Sequence, residues 1–277
     1  MSVAYEAVLD VSEGSVLFLS MLLHDGRVRR GTRKGTRAMG TYKQAVLVLR
    51  WFLDDTRMSG LARDNGISSS TAYAYRDEGI AVLAALTPSL HGALLAAKAA
   101  GYSHVIVDGT LIRTDRISTP GPTVGVDLWW SGKHKHHGGN IQVVSAPDGW
   151  PLWTSGVRPG REHDMSAARA DPELLGRIAD WVGDGALALA DLGYEGEPDL
   201  FRIPFKKPAD ATLTVDHQAY NAIHGALRCL GERANSLLKT TSAPRGAVLY
   251  PPRSGERSEE VSLDLMALPE LERERGP

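Results

Sequence analysis

Two apolar runs in this chain end alike. VIVDGT closes on Asp108 and then Gly109, and LALADLGYEG closes on Asp191 with Gly193 two residues on. Short unbroken runs of valine, isoleucine, leucine and alanine suit strands buried on both faces, and a glycine just beyond lets the chain turn sharply. A carboxylate ending such a strand lies at the carboxyl edge of an open α/β sheet, the edge where such sheets place their function. Two carboxylates converging there suit Mg²⁺ or Mn²⁺, which take oxygen ligands from one or two carboxylates, water and phosphate. A single Asp in this setting would more simply cap the following turn.

The 277 residues, 43% hydrophobic and 23% charged, are enough for one good core and a small second domain. A net charge of -2 exerts no global pull on nucleic acid, so any such role must rest on local clusters. Cys229 is the one cysteine, which rules out an internal disulfide and a cysteine-based zinc site and points to a reducing, cytoplasmic setting. No apolar stretch approaches the roughly 18 residues of a membrane span, and the start lacks the order of a signal peptide.

The first hundred residues read as helical. Residues 12–25 predict a helix capped by Ser12, and the basic stretch RVRRGTRKGTR follows, with Arg27, Arg29, Arg30, Arg33, Lys34 and Arg37 and no acid. That stretch is either a solvated linker or an electrostatic footprint for nucleic acid. TYKQAVLVLRWFLDD opens with Thr41 and Gln44 at capping-box spacing and then runs apolar at helical intervals. From Ser59, two helices broken at Gly66 follow the helix-turn-helix pattern, with Ala62 small at the crossing, Ile67 in the angle and Ser68 as cap. In that motif the second helix enters the major groove, making Ser69, Ser70, Thr71, Tyr73 and Arg76 candidates for DNA contact; a plain helical hairpin is the alternative.

A further helix starts near Pro88, and the character changes near Gly101. YSHVIVDGT, TVGVDLWW, GNIQVVSA and PLWTSGV predict short hairpin-linked strands. Helices around 163–182, the strand ALALAD, a strand near FRIPF and a helix from about Asp216 to Lys239 complete an α/β domain with a mixed sheet. In HGALRCLGERANSLLK, Glu232 offers a third acid, although a helical glutamate beside arginines is ordinarily an exposed ion-pair member. Three carboxylates around two cations would clamp a phosphodiester and activate a water or a 3′-hydroxyl.

Lys133, His134, Lys135, His136 and His137 form a cationic turn, read as phosphate contact near the site or as a solvated hairpin tip; no tetrahedral ligand set accompanies the histidines. Trp129, Trp130, Trp150 and Trp153 read mostly as packing, with base stacking open for one of them. Asp127 is an ordinary polar residue.

VIVDGT, SGKHKHHGGNIQ, PGREHD, LADLGY and GERANSLLK, in that order behind a helix-turn-helix, resemble the IS5-like DDE transposases of bacterial insertion sequences over roughly residues 1–241. The resemblance implies a helical DNA-binding domain (1–100) and an RNase H-like catalytic domain (101–241). It implies an Asp-Asp-Glu triad of Asp108, Asp191 and Glu232 holding two Mg²⁺ or Mn²⁺ ions. It further implies binding of double-stranded DNA at terminal inverted repeats, with a homodimer or larger assembly to pair two DNA ends. His163 and Asp164 match a family motif and are expected beside the metals, with a helix N-cap at Asp164 as the plain alternative. Residues 242–277 depart from the family: Pro244, Pro251, Pro252 and Pro269 among dense charges predict an irregular tail, as after a frameshift. Two rivals therefore stand beside a transposase, a DNA-binding remnant without catalysis and a carboxylate-based hydrolase of small substrates.

Overall fold

The structure is a computed structural model that describes residues 8–54, 56–114 and 119–240. The expectation of an irregular tail over 242–277 lies outside the described residues. The chain divides into two compact units, one up to Thr87 and the other spanning Pro88–Lys239.

The first unit is helical: α1 Glu13–Arg29, α2 Thr41–Leu53, α3 Met58–Asp64 and α4 Ser69–Ala84. Ser12 caps α1 by accepting from the Ser15 N–H, and Val16, Leu19 and Leu23 form its buried stripe. The helix runs past residue 25 because Gly26 acts as a crossing point, its missing side chain leaving room for Val82 of α4. Arg27 is thereby drawn inward, where its Nη2 donates to Met39 O and, at 2.6 Å, to Gln44 Oε1. Gln44 itself donates to Tyr75 O and Glu78 Oε2, and Arg37 bonds to Glu78. The expected capping box is thus absent: Gly40 precedes α2, Gln44 is fully buried, and Thr41 accepts from the Ser20 hydroxyl. A buried amide surrounded by donors and acceptors is worth more than a reciprocal cap at an exposed helix end. Gly79 of α4 packs against Val48 so closely that a Cβ would sit 2.5 Å from it.

Between α3 and α4, Gly66 takes φ +63°, its N–H donating to Arg63 O and that of Ile67 to Ala62 O. This pair of bonds is a Schellman ending, which needs the left-handed conformation that glycine adopts without strain. Ser68 then caps α4 by accepting from Thr71 N.

The second unit is α/β. Helix α5 (Leu90–Ala99), assigned from sequence to the helical domain, packs on the sheet through Leu90, Ala93, Leu94 and Ala97. Strand β1 (His104–Arg113) lies between β3 (His136–Ser145), antiparallel to it, and β6 (Leu187–Leu189), parallel to it. The far edge of β3 takes β4 (Pro151–Thr154) and β5 (Arg158–Pro159), and its start pairs with β2 (Trp130–Ser131). This is a mixed sheet compatible with an RNase H-like fold. Two expected strands shrink: of TVGVDLWW only Trp130 joins β2, and FRIPF supplies a single bridge, Arg202 to Leu189. Asp127 explains the first, because it accepts from Thr119 N and Trp129 N and so folds that segment on itself.

Two cores lie on opposite faces of the sheet. On one, Val105, Val107, Ala188 and Ala190 pack against α5, α6 (Asp164–Ala170) and α7 (Leu174–Gly183). On the other, Ile112, Ile141 and Val143 pack against Ala234 and Leu238 of α9 (Gly231–Thr240). The single helix expected over 216–239 is broken at Cys229 and Leu230 into α8 (Val215–Arg228) and α9. Close packing forces the break: Gly231 lies on Ile106, and Gly149 at φ +80° fits under the Leu230 carbonyl, where any Cβ would collide at 2.0 Å. No helix among the described residues is long and apolar enough to cross a membrane.

Candidate active site

Asp108 lies in the middle of β1, not at its end, because β3 continues the pairing as far as Arg113. The neighbour on its other side stops earlier. β6 pairs Ile106 with Leu189 and ends there, so Asp191 follows two residues beyond the last pair, close enough to Asp108 to act on its carboxyl. Asp191 ends the strand by turning the chain: its Oδ1 accepts from Gly193 N at 2.7 Å, starting the 3₁₀ turn Leu192–Tyr194. The turn-cap reading of this residue therefore holds.

Side chains alternate across a strand, so Asp108, between Val107 and Gly109, faces α9. Asn235 meets it there, donating Nδ2 to Asp108 Oδ2 at 2.8 Å. The other oxygen, Oδ1, lies 3.8 Å from Nη2 of Arg228, the last residue of α8. Burial pushes the Asp108 carboxyl above its ordinary range; Asp191 and Asp164 add to the rise, and Arg228 and Asn235 oppose it.

Asp164 occupies the opposite face. Its Oδ1 would lie 2.1 Å from a Cβ placed on Gly109, so the carboxylate rests directly on the glycine of VIVDGT. The position is enforced by a hydrogen-bond relay beneath the sheet. Tyr194 donates its hydroxyl to Gln142 Oε1, Gln142 Nε2 donates to Asn140 Oδ1, and Asn140 Nδ2 donates to Asp164 Oδ1 at 2.9 Å. Each amide can satisfy both neighbours in one orientation only. The Tyr194 hydroxyl is held well above its usual range by burial and by Asp164, Asp108 and Asp191, so it remains a donor. The second oxygen of Asp164 lies towards Gly193, 3.6 Å from where a Cβ would be, on the turn begun by Asp191. Asp164 is not the helix cap; His163 holds that position, with an exposed side chain that makes no capping bond.

Glu232 does not join the acids. It is exposed, and the groups acting most strongly on Asp108 are Arg228, Asp191, Asn235 and Asp164. Among the described residues no group of three or more His, Cys, Asp or Glu is arranged to hold a metal ion. The inward face of α9 consists of Gly231, Ala234, Asn235 and Leu238, and Glu232 lies about 60° around the helix from Asn235. Glu232 thus borders the site on the flank that Asn235 presents to Asp108.

The cationic turn joins β2 to β3, with Lys133, His134 and Lys135 exposed and Lys135 at φ +59°. Burial lowers the His134 pKa, and Lys133, His136 and Lys239 of α9 lower it further, while Asp164 opposes them. Trp129 and Trp153 are core residues, and Trp130 packs edge-on against His137.

Sequence reasoning missed Asn140, Gln142, Tyr194, Arg228 and Asn235. Polar residues within the apolar alternation of GGNIQVVS and within ERANSLLK were the available signal, since a buried amide requires partners.

In the first unit, Arg29, Arg30, Arg33, Lys34, Ser69, Ser70 and Tyr73 are exposed and Thr71 is half-buried. Arg76 is engaged, its guanidinium stacked on Trp51 and Tyr73 and paired with Asp77 at 2.6 Å.

No curated protein and no solved structure matches the chain. Residues 107–242, from the residue before Asp108 to just beyond α9, match the family model of the DDE superfamily endonucleases, and this match supports an endonuclease or transposase domain there.

Proposed function

We propose that the chain is the transposase of an insertion sequence, cutting DNA at terminal inverted repeats and joining the freed 3′ ends to target DNA. The observation that supports this best is the approach of Asp191, just beyond the end of β6, to Asp108 on the parallel neighbour β1, close enough to act on its carboxyl, inside the stretch that matches the endonuclease family.

The residues present suit a divalent cation. Asp108 and Asp191 offer hard oxygen ligands whose mutual repulsion a cation relieves. The Asn235 amide adds a buried Oδ1 with no partner among the described residues, on the same group that donates to Asp108. Glu232, exposed on the adjoining flank of α9, would supply the third carboxylate to such a cation. Bound Mg²⁺ or Mn²⁺ ions would polarise the phosphate and acidify the attacking water or 3′-hydroxyl. The chain's own part is positional: Asn235 fixes the Asp108 carboxylate, the relay from Tyr194 to Asp164 supports the turn that carries Asp191, and Lys133 and Lys135 attract the DNA backbone.

In the helical unit, α4 acts as the reading helix. Ser69, Ser70, Thr71 and Tyr73 lie at its exposed start, and Arg29, Arg30, Arg33 and Lys34 contact phosphates. Arg76 orients Tyr73 more than it reads bases. Pairing two DNA ends calls for at least two copies of the chain.

A cleavage assay on DNA carrying candidate terminal repeats, with and without Mg²⁺, tests the proposal. Metal-dependent nicking that is lost in Asp191→Asn and Glu232→Gln supports it. Cleavage that needs no metal, or survives Asp191→Asn, rejects it. Repeat-specific binding without any cleavage favours a DNA-binding remnant.

A further inference from the structure

The two oxygens of Asp108 are treated differently. Oδ2 is committed to Asn235 at 2.8 Å, whereas Oδ1 faces the Arg228 guanidinium at 3.8 Å, too far for a hydrogen bond. Arg228 therefore balances the charge on Asp108 without using the lone pairs of Oδ1. Its side chain is 20% exposed, so one edge reaches solvent beside the carboxylate where DNA would lie. Asp108 is its one ion-pair partner among the described residues. A basic residue in the last turn of a helix also favours the helix dipole, and that alone would explain an arginine here. It does not explain why the guanidinium is aimed at Asp108 from the break between α8 and α9, a break that Gly149 and Gly231 enforce.

We propose that Arg228 is a counter-ion switch: it neutralises Asp108 in the free protein and transfers to a phosphate oxygen of the DNA when a divalent cation occupies Oδ1. The proposal rests on the metal-dependent reading above. A cation on Oδ1 repels the guanidinium and removes its reason to stay, and a phosphate is the matching acceptor because Arg offers a planar fork of donors. Arg228 then joins Lys133 and Lys135 in holding the DNA backbone, and it competes with the metal only while DNA is absent.

The test measures Mn²⁺ binding to the full chain without DNA, by electron paramagnetic resonance of free Mn²⁺, in the wild type and in Asp108→Asn, Arg228→Gln and Arg228→Lys. Affinity for a DNA duplex in Ca²⁺ is the second readout. The switch predicts that Arg228→Gln binds Mn²⁺ about five- to tenfold more tightly, as expected on removing one half-buried competing charge, while binding DNA more weakly. Arg228→Lys keeps the charge, so its Mn²⁺ affinity stays near wild type while its DNA affinity falls with the loss of the fork. Unchanged or weaker Mn²⁺ binding in Arg228→Gln, with binding abolished in Asp108→Asn, overturns the switch alone. Wild-type Mn²⁺ binding in Asp108→Asn overturns the metal reading at Asp108 and the switch with it.

Discussion

Asn235 donates its amide to Asp108 across the gap between α9 and β1, and this bond is the polar member of a face that otherwise buries Gly231, Ala234 and Leu238. Helix and strand thereby fix one another. The helix is held by the apolar face and the carboxylate is held by the amide, so the integrity of α9 and the geometry of Asp108 are one property.

Asn235→Leu removes the donor and leaves a half-buried carboxylate with one fewer partner. Loss of a hydrogen bond to a charged group costs about 1.5–3 kcal/mol. Urea denaturation should show a lower midpoint with an unchanged slope, and Asn235→Ser should restore part of the loss.

The Asp108 carboxyl titrates above its ordinary range, so in the window between its unfolded and folded values the native state holds more protons than the unfolded chain. Its contribution to stability is therefore greatest below the unfolded value and is lost as pH rises through the folded one. Asp108→Asn, which keeps the shape and discards the charge, should melt higher than wild type at neutral pH. The gap should close on acidification, read as Tm against pH in the absence of divalent ions.

Gly109→Ala places a methyl 2.1 Å from Asp164 Oδ1. Overpacking against an anchored carboxylate costs about 1–3 kcal/mol. Because the relay to Asn140 resists displacement of Asp164, thermal melting should fall by several degrees, and Gly109→Ala combined with Asp164→Ala should recover part of it.

Tyr194→Phe leaves the buried Gln142 Oε1 without its donor, at a cost of about 1–3 kcal/mol. The same change should loosen Asp164, seen as faster amide exchange over α6 and the Gly193 turn, whereas a merely local loss would leave α6 protected.

Much of this arrangement is legible in the linear chain. VIVDGT and LALAD identify two strands and the carboxylates associated with them, Ser12 and Ser68 mark helix starts, and Gly66 marks the turn between α3 and α4. The misreadings share a cause. Thr41 and Gln44 have the spacing of a cap, but Gln44 is taken by Arg27, Tyr75 and Glu78, which are distant in sequence. The helix predicted across 216–239 has sustained periodicity, yet contacts at Gly149 and Ile106 break it. Local pattern yields to tertiary contact wherever a buried polar group or a close backbone approach is at stake.

The sequence by itself determined the element types, the association of Asp108 and Asp191 with two apolar strands and the basic character of the segment after α1, because these follow from local periodicity and composition. Only the tertiary structure decided what surrounds each acid. Strand alternation and packing placed Asp108 towards α9 and within the influence of Asp191, turned Asp164 to the other face, and brought Asn235 rather than Glu232 against Asp108. The reason is that a side chain's face depends on which partner covers its strand or helix, and partners more than a hundred residues apart leave no local trace.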